Sequence, residues 1–336
     1  MNVHVVKPGA LSTLQDLGRF GYQRYGVIVD GVMDEWSHRV ANMLVGNPET
    51  EATLEMTLIG PRLVFDDTAL IAVCGADLSP QIGEYEVPMN KPVLLRAGSQ
   101  LEFVRRRSGC RAYLAINGGY DVAPIMESKS TYLRGGFGGF QGRALRKDDI
   151  IAIGQGDAAS HYRSLARTLG VCDDPFVAPP FPSISRSLPD ASAAQSVRVV
   201  AGPQWNAFAE PAQRQFLDSE FVITPNSDRM GYRLQGEKLA PREAIEMISE
   251  GVSFGTVQVP PDGNPIILMA DCQTIGGYPK IAQVASVDLP LLAQMMPGQK
   301  VRFELIALDH AQRLYLARQN DFAQVLQKVS QLKQAS

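Results

Sequence analysis

Residues 255–270 read GTVQVPPDGNPIILMA, in which two short apolar runs flank a turn rich in proline, aspartate and glycine. Short alternating or wholly apolar runs bounded by such turn residues are typical of β-strands. The stretch therefore predicts a strand near 256–259, a tight turn, and a second strand over 266–270. The second strand leads directly into the polar sequence DCQTIGGYPK at 271–280.

The same pattern recurs along the chain and predicts a mainly β protein with some α-helix. Its spacing suits antiparallel barrels or sandwiches. Other predicted strands cover residues 62–65, 69–74, 101–104, 111–116, 150–153, 197–200 and 301–306. Helices are fewer, and the predicted ones cover residues 33–45, 207–216, 289–296 and 321–332.

A linker is predicted at residues 178–196, which read APPFPSISRSLPDASAAQS. Proline, serine and alanine dominate this stretch, and neither strand nor helix periodicity is present. The sequence thus predicts an N-terminal domain over 1–177 and a C-terminal domain over 197–336, the latter ending in a helix.

The two halves also resemble each other in three places that occur in the same order. The sequence RFGY at 19–22 matches RMGY at 229–232, and the pair EM at 55–56 matches EM at 246–247. AGSQLEF at 97–103 matches PGQKVRF at 297–303. Three matches in one order predict an internal duplication, so that both domains share one β-fold.

Composition excludes several classes of function. The 336 residues carry a formal net charge of −3, with 45% hydrophobic and 20% charged residues, which suits a globular chain and favours neither nucleic acid nor an anionic membrane as partner. The four cysteines form no CxxC pair, and the four histidines do not cluster beside them. Neither a disulfide framework nor a metal site is expected. The N-terminus lacks the apolar core of a signal peptide, so we expect a cytoplasmic protein.

Two polar segments are candidates for a site. The first, residues 225–233, places Asp228 and Arg229 beside a glycine and can offer a guanidinium to an oxyanion. The alternative interpretation is a structural turn in which Asp228 pairs locally.

The second candidate follows the strand at 266–270 and is richer in chemistry. Asp271 can serve as a base and Lys280 as a cation for developing negative charge. The remaining candidates for binding substrate are Gln258, Asp262, Gln273, Thr274, Gly276 and Gly277. Gln273 and Thr274 can orient a carbonyl or carboxylate, and the glycine pair permits close approach of a ligand. The alternative interpretation is an ordinary polar hairpin loop.

Two further features favour a structural role. The loop at 134–143, RGGFGGFQGR, contains five glycines but no lysine and no phosphate-loop spacing, which favours a flexible loop or a partner surface. Cys272 has no histidine near it in sequence, and a small buried residue is the expected role.

Long motifs resemble the allophanate hydrolase subunit 2 or carboxyltransferase subdomain A/B family. They are PGALSTLQDLGRFGY at 8–22, GVMD at 31–34, ANMLVGNP at 41–48 and SKSTYLR at 128–134. The C-terminal ones are SDRMGYR at 227–233, SEGV at 249–252, GTVQVP at 255–260 and QTIGGYPK at 273–280. The resemblance implies two cyclophilin-like β-barrel domains. One departure is Cys272, where members of the family commonly carry arginine.

The resemblance implies a subunit that acts only in a complex. Free-standing bacterial members are similar to the C subunit of 5-oxoprolinase, which opens the lactam of 5-oxo-L-proline to L-glutamate with ATP hydrolysis, together with the A and B subunits. In that case another subunit can bind the ATP. Two alternatives stay open. One is the carboxyltransferase subunit of a biotin-dependent urea or amide carboxylase, with biotin carried on another chain. The other is a regulatory protein that antagonises a kinase inhibitor.

For lactam opening, we expect catalytic roles for three residues. Arg229 and Lys280 would stabilise the oxyanion or the substrate carboxylate, and Asp271, or else Asp262, would move the proton.

Overall fold

The computed structural model describes residues 1–156, 163–180, 183–184, 187–190, 192–243 and 247–334. The predicted linker and the predicted match at 246–247 lie partly outside the described residues. The chain folds into two compact units. Unit 1 comprises Met1–Gly18, Asp34–Leu188 and Asn320–Ser336, and unit 2 comprises Arg19–Met33 and Pro189–Gln319. The predicted domains follow chain order, whereas each unit includes a segment from the other half of the sequence.

Unit 1 contains two six-stranded antiparallel sheets. The strands of the first are β1 (Asn2–Lys7), β4 (Arg62–Phe65), β6 (Pro80–Ile82), β7 (Tyr85–Glu86), β9 (Gln100–Phe103) and β11 (Ile150–Ala152). Those of the second are β2 (Leu11–Gln15), β3 (Thr53–Thr57), β5 (Ala69–Asp77), β8 (Val93–Leu95), β10 (Ser108–Ile116) and β12 (Phe176–Val177). The spatial orders are β11-β1-β4-β9-β6-β7 and β12-β8-β5-β10-β3-β2.

The core of unit 1 forms from the inward residues of both sheets. In β1, Val3 and Val5 are buried and their neighbours are not, and Leu63 and Phe65 of β4 continue the same apolar face. Strands β5 and β10 are buried almost throughout, because helix α1 (Glu35–Val45) packs on them. Strands covered on both faces have continuous apolar runs instead of alternation.

Helix α1 ends where its sequence predicts and begins two residues after the predicted start at 33. The Asp34 side chain accepts a hydrogen bond from the Ser37 N–H at 3.0 Å, and Gly46 ends the helix with a left-handed φ of 79°. An N-terminal aspartate and a C-terminal glycine satisfy the end groups that a helix cannot pair internally. Unit 1 also contains α2 (Arg163–Val171), which the sequence pattern does not predict.

Unit 2 is a closed seven-stranded barrel with a separate two-stranded ribbon. The barrel strands are β13 (Gln195–Ala201), β14 (Phe221–Ile223), β15 (Gly231–Gln235), β17 (Thr256–Gln258), β18 (Ile266–Leu268), β20 (Lys280–Val284) and β21 (Lys300–Leu305). The ribbon pairs β16 (Glu250–Gly251) with β19 (Ile275–Gly276). The barrel order is β13-β20-β17-β18-β15-β14-β21, with only β13 and β21 parallel among these pairs.

Three further helices lie between or after the barrel strands in sequence. They are α3 (Glu210–Asp218), α4 (Leu289–Ala293) and α5 (Leu308–Gln334). Phe216 of α3 stacks on Phe303 of β21 with ring centroids 4.4 Å apart, which fixes α3 against the barrel. Helix α5 begins 13 residues before the predicted start at 321. Among the described residues, none of the helices combines the length and the apolar character that a membrane crossing requires.

The prediction of a mainly β chain with a β-barrel is confirmed by these elements. The predicted hairpin at 255–270 is also confirmed, because β17 and β18 pair in antiparallel register with Val257 opposite Ile267. The likeness of both halves to cyclophilin and their internal duplication stay predictions.

A buried histidine gives unit 1 a testable pH dependence. His38 of α1 is fully buried, with Nδ1 2.8 Å from Thr53 Oγ1 and Nε2 3.1 Å from the Glu49 carbonyl oxygen. Burial lowers its pKa from 6.5 to about 4. The unfolded chain therefore binds a proton in a pH window where the folded chain does not, and stability falls as pH drops from 6.5 toward 4.

We expect His38 to lower the free energy of unfolding by about 2 kcal/mol as pH falls from about 7 to about 5. Urea-unfolding midpoints across this range measure the loss. His38→Gln should flatten the dependence, since the amide does not titrate. The same substitution at exposed His310 is the matched control and should keep the wild-type slope. Equal slopes for the wild-type protein and His38→Gln would contradict the assignment.

Candidate functional site

A buried ion-pair network lies where β15 and β18 adjoin in unit 2. Arg229 precedes β15, and Asp271 follows β18, its neighbour in the barrel. The Asp271 backbone N–H donates to the Arg229 carbonyl oxygen at 2.8 Å, so the two residues lie side by side. The antiparallel register therefore brings together two predicted catalytic residues from segments 42 residues apart.

Arg229 binds two carboxylates at once. Its Nε and Nη2 donate to the two oxygens of Asp271 at 3.0 and 2.7 Å, a bidentate pair. Nη2 also lies 3.1 Å from Asp30 Oδ1 and 2.6 Å from the Gly31 carbonyl oxygen. Arg19 completes the network, with Nη1 3.0 Å from Asp30 Oδ2. All four charged residues are at most 7% exposed, so two guanidinium groups face two carboxyl groups away from water.

The backbone at Asp30 is shaped to direct this carboxyl inward. Asp30 and Gly31 both have left-handed φ angles, 62° and 96°. A non-glycine residue in this region is uncommon and persists where the surrounding contacts hold it. Burial, and then the neighbouring Asp271 carboxylate, raise the pKa of Asp30, while the two arginines oppose the shift. Asp30 and Asp271 thus both face the Arg229 guanidinium, and their proximity is one cause of the raised pKa of Asp30.

A second cluster lies where β17 and β20 pair. Gln258 is the register partner of Lys280, so both lie at the same position along the two strands. Both are buried, with 1% and 5% of their surface exposed. The Lys280 ammonium pairs with the Glu250 carboxylate of β16, and its backbone N–H donates to Gln204 Oε1 at 3.1 Å. Lys280 therefore contacts one carboxylate and one amide oxygen, and Gln258 lies opposite it on the neighbouring strand.

Gln258 and Gly276 fit each other closely. Gln258 Nε2 is buried and has no hydrogen-bond partner among the described residues. A Cβ on Gly276 would lie 2.4 Å from that nitrogen, so this position accepts only glycine unless the amide moves. A Cβ on Gly277 would approach no atom closer than 3.5 Å. Close approach therefore requires the first glycine of the predicted pair, not the second.

The remaining predicted residues lie in exposed turns or at the edge of the ribbon. Asp228 is exposed and accepts the N–H groups of the two residues that follow Arg229, at 2.8 and 3.3 Å. Asp262 is also exposed, and hydrogen bonds from Asn264 lower its pKa. Both acids thus accept hydrogen bonds within their own turns, and Asp228 does so from backbone N–H groups and not from the arginine that the structural-turn interpretation expected. Gln273 and Thr274 are partly exposed in the segment between Asp271 and β19. The roles of all these residues toward a substrate stay predictions.

The surroundings of Cys272 and of the glycine-rich loop at 134–143 favour structural roles for both. Burial, and then the charge of Asp271, raise the pKa of the Cys272 thiol to about 12. A buried, protonated thiol is a poor nucleophile, which supports the interpretation of Cys272 as a small packing residue. In the loop at 134–143, the Gly136 N–H donates to the Tyr132 carbonyl oxygen at 2.9 Å, and Gly142 to Gly138 at 2.8 Å. The loop thus folds on itself through backbone bonds.

Sequence reasoning missed four residues of these clusters. Arg19 and Arg229 are the equivalent arginines of the repeated RxGY motif, and both bind Asp30, so the repeat was the available signal for Arg19. Glu250 lies in the SEGV motif at 249–252, but no local pattern marks it as a partner of Lys280. Asp30 and Gln204 carried no signal, because their partners are remote in sequence.

Together, these elements define a mainly β protein whose barrel carries a buried arginine–carboxyl network and a second cluster of Lys280, Glu250 and two glutamine side chains. The chain belongs to the family described as "Carboxyltransferase domain, subdomain A and B", whose model matches residues 25–305.

Relatives within this family include free-standing and fused proteins. The chain is 37% identical to the C subunit of 5-oxoprolinase from Haemophilus influenzae, over 90% of this chain and 91% of that protein. It is 33% identical to the Escherichia coli protein of the same name, over 96% of each. The crystal structure of Kluyveromyces lactis urea amidolyase superposes with a TM-score of 0.84 at 30% identity, over 96% of this chain. This chain spans only 20% of that much longer protein.

The ion-pair network predicts a large cost for removing its central cation. Arg229→Met leaves the buried carboxyl groups of Asp30 and Asp271 without their shared partner. We expect a loss of about 3–5 kcal/mol in unfolding free energy at neutral pH. The loss should shrink in acid, because protonation neutralises the stranded carboxylates. Chemical denaturation at two pH values measures both effects.

The matched control is Arg233→Met, since Arg233 is exposed on the adjoining strand β15. We expect it to change stability by no more than about 0.5 kcal/mol. Similar losses for the two variants would show that the network does not hold this end of the barrel together.

Proposed function

We propose that this chain is the C subunit of an ATP-dependent 5-oxoprolinase, a cytoplasmic complex in which it acts with the A and B subunits. The reaction would open the lactam of 5-oxo-L-proline to L-glutamate. The bacterial relatives of that name match the chain over nearly the full length of both proteins, which supports the proposal. The observation that carries it is the Lys280–Gln258 pair, two buried donors side by side at the barrel.

The donors suit the charges that lactam opening creates. A lactam is a stabilised amide, and addition of water to its carbon places negative charge on the carbonyl oxygen. The Lys280 ammonium and the Gln258 amide N–H groups can both donate to such an oxygen or to the substrate carboxylate. Donors fixed in a water-poor site stabilise developing charge more than they do in water, because little reorganisation is needed.

Asp271 is the better placed acid for moving the proton. Its side chain remains 9% exposed, while Arg229 holds both of its oxygens. Arg229 would then act by positioning Asp271, since its guanidinium is already bound to carboxylates. Asp262 instead lies in an exposed turn with Asn264. ATP hydrolysis would supply the driving force, with the nucleotide bound by another subunit.

A second candidate function is carboxyl transfer. The similarity to urea amidolyase over nearly the whole of this chain favours it, as does the family model. Carboxybiotin, carried on another chain, would deliver the carboxylate to a urea-like nitrogen. The same Lys280–Gln258 pair can bind a carboxylate in that reaction, so turnover with defined substrates must separate the two.

The test is glutamate release from 5-oxo-L-proline and ATP, catalysed by the chain co-purified with its genomic neighbours. We expect ATP-dependent glutamate that disappears when this chain is omitted. Lys280→Met should lower turnover by about 10²–10³-fold, the usual cost of one well-placed donor. Lys238→Met is the control at an exposed lysine and should retain wild-type turnover.

Absence of glutamate from an intact, folded complex would refute the oxoprolinase proposal. In that case biotin-dependent carboxylation of urea-like acceptors, measured with the same two variants, tests the second candidate.

A further inference from the structure

The Glu250 carboxylate lies beside the buried Lys280 side chain and the partly buried Gln204. It accepts from the Lys280 ammonium. Gln204 is held next to this pair, because its Oε1 accepts from the Lys280 backbone N–H, and it contributes to the lowered pKa of Glu250. The Lys280 side chain is 6% exposed, whereas that of Glu250 is 51% exposed. Lys280 is thus part of the barrel wall, and Glu250 reaches it from the solvent side.

This cluster has more donors than its own acid can satisfy. Gln258 Nε2 is buried without a hydrogen-bond partner among the described residues. A buried amide left unpaired is costly, and native proteins retain such groups where they have a purpose. Gln258 Nε2 faces Gly276, which is the register partner of Glu250 across the ribbon. The unused donor therefore points toward the strand pair that carries the acid.

We propose that Lys280, Gln204 and Gln258 form a carboxylate-binding subsite, and that the Glu250 side chain occupies it until a carboxylate ligand displaces it. The inference rests on the proposed function in one respect, because the expected ligand is the carboxylate of 5-oxo-L-proline. Glu250 is then an internal competitor of the substrate, and it sets the affinity of the site.

Displacing Glu250 from Lys280 requires little free energy. Water solvates the half-exposed Glu250 carboxylate well once it is released. The incoming carboxylate takes its place as the counter-charge of the buried Lys280, so the ammonium is not left unpaired. Lys280 is the principal cause of the lowered pKa of Glu250, so the acid is ionised at neutral pH and competes as an anion. Strand β16 contributes only Glu250 and Gly251 to a ladder with β19, so few backbone bonds resist its movement.

Gly276 leaves room for the Gln258 side-chain amide next to the ribbon. Because a Cβ at this position would meet Gln258 Nε2, any larger residue would push the amide away from the ribbon. A ligand carboxylate that replaces Glu250 at Lys280 could use the unpaired N–H group of Gln258 in addition. The exchange thus gives a ligand one more hydrogen bond than Glu250 makes.

The test measures ligand binding to the complete complex without ATP, by isothermal titration calorimetry. The probes are 5-oxo-L-proline, propionate as a simple carboxylate, and 2-pyrrolidinone, which has the lactam but no carboxylate. Glu250→Gln should tighten binding of the two carboxylates by about two- to fivefold, the equivalent of one weak surface ion pair. It should not change the affinity for 2-pyrrolidinone. Glu237→Gln, at an exposed acid, is the control and should change none of the affinities.

Gln258→Met provides a second readout that a purely structural role would not give. The substitution removes an amide group without a protein partner among the described residues and keeps the side-chain length. We expect an unchanged or higher Tm together with roughly tenfold weaker binding of 5-oxo-L-proline, the loss of one hydrogen bond to a charged ligand. A lower Tm with unchanged binding would mean that Gln258 serves the fold, and would overturn the subsite.

The outcomes separate this inference from the proposed function. Unchanged or weaker carboxylate binding in Glu250→Gln would overturn the subsite, even if the complex releases glutamate normally. A complex that releases no glutamate, yet binds propionate more tightly after Glu250→Gln, would retain the subsite and refute the oxoprolinase proposal.

Discussion

The bridge that Arg229 forms between Asp271 and Asp30 is the constraint on which the end of the barrel depends. The guanidinium of Arg229 binds Asp271, shortly after β18, and also Asp30 in the segment at 19–33. Asp30 and Arg229 are 199 residues apart in sequence. A buried ion pair is favourable only when its geometry is good and its remaining hydrogen bonds are satisfied. The bidentate contact with Asp271, the Gly31 carbonyl and the second arginine at Asp30 meet that requirement.

Barrel closure sets the second constraint, which is the position of Lys280. Strand β20 pairs with both β13 and β17, and Lys280, its first residue, lies opposite Gln258 and is buried. A buried ammonium needs a counter-charge, and Glu250 from the peripheral ribbon provides it. The two clusters differ in this respect. The network around Arg229 pairs buried cations with buried acids, whereas Lys280 depends on an acid that is half in solvent.

Local patterns predict much of the fold and part of the site. The hairpin at 255–270, the ends of α1 and the mainly β character follow from alternation, turn residues and caps, which act over a few residues. The structure places five of the predicted site residues in two buried clusters. They are Arg229, Asp271, Gln258, Gly276 and Lys280. Asp228 and Asp262 have the same local pattern, but both lie in exposed turns. Burial separates these acids from Asp271, and burial depends on the whole fold.

The sequence by itself determined part of the strands, the hairpin turn between β17 and β18, and the family, because periodicity and long motifs are local properties of the chain. Only the tertiary structure decided which charged groups meet. Asp30 joins Arg229, and Glu250 joins Lys280, through strand pairing and loop closure between segments that carry no mark of each other in sequence. The same reason applies to Gln258, since an amide is recognisable as unpaired only when every group around it has been placed.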